Sequence, residues 1–556
     1  MKEVLTIIKH RAVVRLSMTD VCICLWYVYV LVSALTSTVY PSYNTVSGAT
    51  YMLSLFLALR IVFTVSHIRG KYVMWGIIMW SMYELGYGII QLVEGNSNHY
   101  LYPMTGTFLN PGPYSASLAI GLVMLCQYLK ETGDGIVIFK GVTSRHAVEL
   151  LTMCFAVILP STWSRAALIS VAFCLVLIYW DVIRRRIWWF VGAGVVACVV
   201  MYIAKSGSAH GRLAVNYIAA HCLMDNPLTG GGIGSFFHSY AEKTAELSAA
   251  GLAFDPKDID VLEYAFNDFL LIGVEQGLLG LAFCLALLLL VFRSLWNKSR
   301  ALAYGLLSLL IFSLFSYPFE LLPYQIVAVI IMAYSATDDK GVRINAAVVG
   351  VVSVVLALLP WDYSMAKQKA EDDYRMIAGI TEKAFVNDYY ELLPLLEDNR
   401  NFLFDFGKML SVQGRYNDSN AMLRKGTLIC NDPMFYVLQG NNYKQMGQND
   451  KAEAMYRKAY MIMPNRLYPL YKLMLLYKDN NDRKGMKAMA TRVLNFQEKV
   501  KSPATIEMKK EAKHIIEEKN EYVLFYHNSM GRGSMCLRTK HALPAIRYSY
   551  GTREVV

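Results

Sequence analysis

Residues 205–237 read KSGSAHGRLAVNYIAAHCLMDNPLTGGGIGSFF. After a polar, acidic run, residues 263–280 read EYAFNDFLLIGVEQGLLG and lead into a long apolar segment. Together they frame the only long polar insertion among the hydrophobic segments before residue 360. The chain is 55% hydrophobic over 556 residues, with a mean hydropathy of +0.32. That is too apolar for an ordinary soluble enzyme, and the apolar residues come in runs long enough to cross a bilayer as helices.

About eleven spans are predicted, near 13–36, 47–67, 72–94, 114–129, 147–162, 165–180, 187–204, 265–292, 301–317, 320–336 and 344–360. Lys and Arg gather in alternate loops: Lys2, Lys9, Arg11 and Arg15; Arg69 and Lys71; Lys130, Lys140 and Arg145; Arg184, Arg185 and Arg186; Arg293, Lys298 and Arg300; Lys340 and Arg343. Loops 37–46, 95–113 and 318–319 have none. Basic loops stay in the cytosol. The N-terminus (1–12) is therefore expected in the cytosol, the 205–264 loop outside, and everything after Pro360 outside as well. The net charge of +11 is explained by these loops and a basic C-terminal region, and calls for no nucleic-acid partner. The ten cysteines are scattered with no CxxC pair, so neither a disulfide framework nor a metal site is expected. The basic start of the chain has no small-residue cleavage site and reads as a retained first span.

From Trp361 onward the composition is soluble and helical. Residues 402–433 and 434–466 resemble each other, with Gly414 answering Gly447 and Pro433 answering Pro464. The second copy carries Gly440, Tyr443, Gly447, Ala452, Tyr456, Ala459 and Pro464. A weaker third copy covers 467–494. This pattern resembles the tetratricopeptide repeat, helix pairs that bury their faces only by stacking. We expect repeats over 361–500, a charged helix from 501, and a disordered tail from about 521 to 556. The fold class is thus all-α: a polytopic transmembrane bundle with a large outer loop and a C-terminal repeat domain.

TGTFLNPGPYSASLA (105–119), STWSRAAL (161–168), the Arg212 region, DNPLTGGGIGSF (225–236) and NDFLLIGVEQGLLG (267–280) occur in that order. The ordered set resembles the O-antigen ligase and polymerase superfamily of bacterial membrane glycosyltransferases, in which appended repeats also occur. The resemblance implies an active site on the outer face of the inner membrane. There, a glycan passes from undecaprenyl diphosphate to a lipid core, a protein or a growing polysaccharide, with inversion and without metal or cofactor. It also implies a periplasmic repeat domain able to bind a protein partner.

The residues fit such chemistry. A diphosphate leaving group needs cationic donors at the outer headgroup level, and guanidinium forks bind its oxygens bidentately. Arg165 and Arg212 are the expected pair, with Lys205 as a third. A helix-end anchor is the other reading of Arg165. Asn110 and Asn267 are expected on the glycan, although the Asn110–Pro111 pair also suits a simple turn. An acceptor hydroxyl needs a base. The family's His stands where this chain has Phe266, so Asp268, Glu275 and His238 are the candidates. Glu275 either joins the chemistry, pairs with an Arg, or caps a neighbouring half-helix. The glycines at 230–234 let backbone approach closely or donate N–H groups to phosphate; a tight turn is the plainer alternative. Arg60 and Glu84, in neighbouring spans, are expected to pair with each other. A non-catalytic scaffold that organises an envelope complex through the repeats is the rival reading, and Phe266 is its best argument.

Overall fold

The computed structural model describes residues 13–37, 43–132, 137–139, 142–186, 188, 192, 206–251, 254–260, 262–337, 341–499 and 501–528. Among the described residues the protein is helical, with four short strands. Strand β1 (Val13–Leu16) is followed by helices α1 (Met18–Thr36), α2 (Tyr43–Val65), α3 (Gly70–Glu94) and α4 (Pro111–Glu131). A small hairpin, β2 (Val137–Phe139) and β3 (Val142–Thr143), precedes α5 (Ser144–Ser161) and α6 (Arg165–Ile178). The polar insertion over 205–264 holds α7 (Ser206–Asp225) and α8 (Phe236–Ala250). Then come α9 (Asp268–Lys298), α10 (Arg300–Ser313), α11 (Leu322–Ser335), β4 (Val342–Asn345) and α12 (Ala346–Leu358).

Among the described residues, α1, α2, α3, α4, α9 and the run Ala346–Ile377 are long and apolar enough to cross a bilayer. Helix α6 and the turn after it, Trp180–Arg186, make a seventh only if their 78° bend is taken as one broken span. Helices α10 and α11 are shorter apolar pieces, α5 falls outside both groups, and the span expected over 187–204 lies outside the described residues. Helix α4 is the axis of the bundle, buried nearly all round from Pro111 to Gln127 by α3, α5, α6 and α10. The other spans leave apolar faces outward, as lipid contact requires.

The first span starts later than the hydropathy pattern predicts. Residues 13–16 are extended and pair antiparallel with β4, Val13 opposite Asn345 and Leu16 opposite Val342. Ser17 then caps α1 in a reciprocal box with Asp20. Asp20 has a second role that corrects the expected Arg60–Glu84 pair. The Arg60 guanidinium, 1% exposed, grips Asp20 through Nε–Oδ1 at 2.7 Å and Nη2–Oδ2 at 3.1 Å. Glu84 instead accepts from the Thr107 N–H at 2.9 Å and its hydroxyl at 2.7 Å, tying the 105–107 loop to α3. Each buried charge is satisfied, but by a different partner from the one that span adjacency suggested.

Beyond α12 the chain continues through α13 (Trp361–Ile377) and α14 (Val386–Leu396) into three helix pairs. These are α15 (Arg400–Val412) with α16 (Tyr416–Ile429), α17 (Pro433–Gln445) with α18 (Asn449–Ile462), and α19 (Tyr468–Asp479) with α20 (Arg483–Asn495). Helix α21 (Pro503–Asn528) closes the described chain. The predicted turn glycines Gly414 and Gly447 have φ of 76° and 72°; the third turn uses Asn481 at 56°. The array docks on the 205–264 insertion. Ala241 and Ala245 of α8 share one apolar cluster with Tyr436, Ala452, Tyr456 and Ala459. Lys458–Glu242 and Lys499–Asp260 bridge the edge, both at 2.6 Å, together with an Arg400–Glu263 ion pair.

Candidate functional site

Five pieces of chain reach one end of the bundle: 105–110, 162–165, the start of α7, 263–268 and 317–320. Two of them carry the expected cations. Ser164 caps α6, accepting from the Ala167 N–H, and makes Arg165 its first residue. Trp163, just before, sits at φ 54°, a left-handed conformation that a bulky residue rarely adopts. Arg212 lies on α7 and comes within electrostatic reach of Arg165. Burial holds the Arg212 guanidinium below its usual range, and the like charge of Arg165 adds to this; Tyr317 opposes it. No carboxylate is among the groups that set the charge of Arg212. Two half-buried guanidiniums thus stand within electrostatic reach of each other.

An aromatic face adjoins them. The Arg212 guanidinium lies 5.6 Å from the Phe266 ring centre. Phe266 meets Tyr317 edge-on at 5.4 Å and 70°, and Tyr317 stacks on Tyr264 at 4.9 Å. Phe266 is held at φ 51°, so the backbone is again left-handed directly before a helix. Burial pushes the Tyr317 hydroxyl up, against a hydrogen bond from Asn110 and the charge of Arg212. Asn110 therefore has two roles. Its carbonyl oxygen caps α4 through the Gly112 N–H at 2.9 Å, and its side chain also reaches Tyr317. Asn267 caps α9, accepting from the N–H groups of Phe269 and Leu270, both at 3.1 Å.

Carboxylates stand beyond the tyrosines. Asp268 is 3% exposed; its Oδ2 accepts weakly from the Phe319 N–H at 3.4 Å, and its Oδ1 has no partner. Glu275 accepts from the N–H groups of Gly234 and Phe236, the latter at 3.4 Å, and so caps the start of α8. Of the three readings open in the sequence, the half-helix cap is the one the geometry displays. Glu320, which sequence reasoning did not single out, interacts with Asp268, Glu275 and Tyr264. Its only sequence signal was a lone acid in a turn without Lys or Arg.

The glycine run has a structural task. Helix α9 breaks at Gly277, where φ is 66° and ψ −168°. The carbonyls left free at Val274 and Glu275 accept from the N–H groups of Gly231 and Gly232, both at 2.9 Å. The N–H groups of Leu278 and Leu279 donate to Pro227 at 2.8 Å and Leu228 at 3.2 Å. The 227–232 turn thus plugs a break in a membrane helix, where unpaired backbone is costly. Side chains are excluded on both sides. A Cβ at Gly230 meets the Glu275 carbonyl carbon at 2.4 Å, and one at Gly277 meets the Leu228 oxygen at 2.3 Å. The N–H groups that might have been offered to phosphate, those of Gly231 and Gly232, are engaged here.

His238 faces the repeats and bonds the Thr427 carbonyl at 2.9 Å. It is therefore part of the docking surface and not grouped with Asp268 and Glu275. Lys205 lies outside the described residues. Among the described residues, no three His, Cys, Asp or Glu side chains gather as a metal site requires.

Comparison with known proteins agrees with the motif reading. No curated protein matches the chain. A solved structure titled "Crystal structure of MamA protein" aligns over 32% of this chain and 99% of its own, at 15% identity and a TM-score of 0.22, too low to carry an argument. Residues 150–285, which hold Arg165, Arg212, the glycine plug, Asp268 and Glu275, match the model of the family described as O-antigen ligase, and it is this family that the multi-pass membrane chain resembles.

Proposed function

We propose that the protein transfers a glycan from undecaprenyl diphosphate to an acceptor on the outer face of the bacterial inner membrane. The observation that carries this reading is the approach of Arg165 to Arg212. Burial and the like charge nearby both weigh on the Arg212 guanidinium, and a multiply charged anion beside it relieves both. A lipid diphosphate is such an anion, and its charge grows as the bond to the sugar breaks. The face made by Phe266, Tyr317 and Tyr264 suits a sugar ring stacking beside the cations. Asn110, which bonds Tyr317 beside this face, is proposed to contact sugar hydroxyls. Lys205 is proposed as a third donor.

The reaction breaks the bond between the anomeric carbon and the diphosphate oxygen. An acceptor oxygen forms the new bond from the opposite side, which inverts the centre. The alternation of Lys and Arg in the loops supports a cytosolic N-terminus and a periplasmic repeat domain. The packing of the repeats on the 205–264 insertion supports a role in presenting an acceptor or binding a protein partner. The acceptor is a lipid core, a protein or a growing polysaccharide.

The test is incubation of the purified full-length protein with a lipid-diphosphate glycan and each acceptor class, following released undecaprenyl diphosphate. Release that depends on acceptor supports transfer. A folded preparation that releases nothing with any acceptor supports the scaffold reading, which Phe266 in place of the family's histidine favours.

A further inference from the structure

The end of the bundle away from the candidate site holds a cavity of about 790 Å³. Helix α6 starts at the site with Arg165 and reaches this cavity at Leu177. The chain then bends by 78°, and Trp180, just beyond the bend, joins the wall. Phe292 and Trp296 from the last turns of α9 and Tyr304 from the first turns of α10 extend it. Their rings form one aromatic surface, with Trp296 5.6 Å from Phe292 and 5.6 Å from Tyr304. The walls are anchored to each other. Lys130 donates to the Ile178 carbonyl where α6 ends, and the Cys174 thiol donates to the Tyr304 carbonyl at 3.8 Å.

The lining has two chemistries. Leu177, Trp180 and Trp296 are 40%, 45% and 39% exposed, so the cavity opens outward, on the apolar surface that α6 and α9 present to lipid. Tryptophan and tyrosine are the side chains that favour the boundary between acyl chains and headgroups. The rim is cationic. Arg293 lines the cavity, is exposed, and forms no ion pair among the described residues. The Arg300 guanidinium lies 5.4 Å from the Trp296 ring centre. Arg184, Arg185 and Arg186 follow Trp180 and are exposed. Asp181, the acid beside Trp180, is already shared by Lys130 and Arg184, both at 3.9 Å. No carboxylate lines the cavity among the described residues.

We propose that this cavity binds an anionic phospholipid, with an acyl chain along the aromatic wall and the phosphate on Arg293, Arg300 standing beside it. A free phosphate gains only the cations, and a neutral lipid gains chiefly the wall; an anionic phospholipid gains both. Lys and Arg grouped beside membrane helices attract acidic headgroups, by about fivefold in affinity for each cation. The site shares no residue with the Arg165–Arg212 region and does not rest on the glycan-transfer reading.

The test titrates the full-length protein in detergent with phosphatidylglycerol, with phosphatidylcholine of the same chains, and with inorganic phosphate, and follows bound lipid by native mass spectrometry. We expect phosphatidylglycerol to bind about fivefold or more tighter than phosphatidylcholine, and inorganic phosphate not to displace it. Arg293→Gln should weaken phosphatidylglycerol about fivefold, and adding Arg300→Gln about 25-fold in all. Arg343→Gln, which removes an exposed cation on β4 outside the cavity, should leave binding unchanged. All three positions are exposed, so an unchanged melting temperature confirms that each variant is folded. Equal binding of the two lipids overturns the proposal. An equal loss from Arg343→Gln also overturns it, because it marks diffuse surface charge, and so does displacement by inorganic phosphate, which marks a site for free anions.

Discussion

The Arg212 guanidinium rests 5.6 Å from the centre of the Phe266 ring. The residue that replaces the family's histidine therefore holds the cation expected to meet the diphosphate. Desolvated cation–π contacts contribute about 0.5–2 kcal/mol, or about 2–30-fold in affinity. Phe266→Ala should raise the donor KM by that factor with a smaller change in kcat, while Phe266→Tyr should stay near wild type. Steady-state kinetics over donor concentration decide it.

The cation pair itself should matter more. Arg165→Ala and Arg212→Ala should each lower lipid-diphosphate release by about 10²–10³-fold, the effect of removing one donor aimed at developing charge. Arg212→Lys should recover only part, since a point charge lacks the guanidinium's two-pronged geometry. A scaffold would leave glycan phenotypes intact in all three variants.

The break in α9 leads to a stability prediction. Gly277 occupies a backbone region essentially restricted to glycine, and its Cβ position is 2.3 Å from the Leu228 oxygen. Gly277→Ala should destabilise the protein by about 1–3 kcal/mol from backbone strain alone, with the clash added. The readouts are thermal melting in detergent and the yield of monodisperse protein. Gly230→Ala should behave similarly, and both should lose activity along with fold.

Docking of the repeats should loosen in acid. Burial pushes the Glu242 carboxyl up, but hydrogen bonds from Lys458 and Asn431 and the charges of Lys458 and His238 outweigh it, leaving it below its usual range. A carboxyl lowered in the folded state stabilises fully above its unfolded value, and that contribution fades as pH falls through the folded one. The Glu242 side chain is 41% exposed, so solvent screening limits the pair to under about 1 kcal/mol. Limited proteolysis near 251–263 should therefore speed up modestly below about pH 4.5, the unshifted value. Lys458→Met should reproduce this at neutral pH.

Much of this was legible in the chain because it follows from periodicity and spacing. The apolar runs gave the long spans, and Gly414 and Gly447 gave the repeat turns, since both signals are local. Arg165 and Arg212 were paired through the resemblance, since a helix-end anchor explains Arg165 equally well; the structure brings the two within electrostatic reach. Partners made across the fold were not. Arg60 chose Asp20, brought close by the start of α1, over Glu84 in the next span. His238 turned to Thr427, far along the chain, because the repeats fold back on α8. Glu320 was missed because its setting depends on Asp268 and Tyr264, which only the packing of α9 against the 317–320 turn brings near it.

The pairing of β1 with β4 has a bearing on biosynthesis. Val13–Leu16 is synthesised long before its strand partner Val342–Asn345, which is made after nearly all of the membrane region. In the meantime the first helix is anchored by Arg60 on Asp20, which needs only α2 to have been inserted. The helix bundle is therefore fastened twice, early by an ion pair and last by a strand, and a nascent chain cut before residue 342 would leave Val13–Leu16 unzipped.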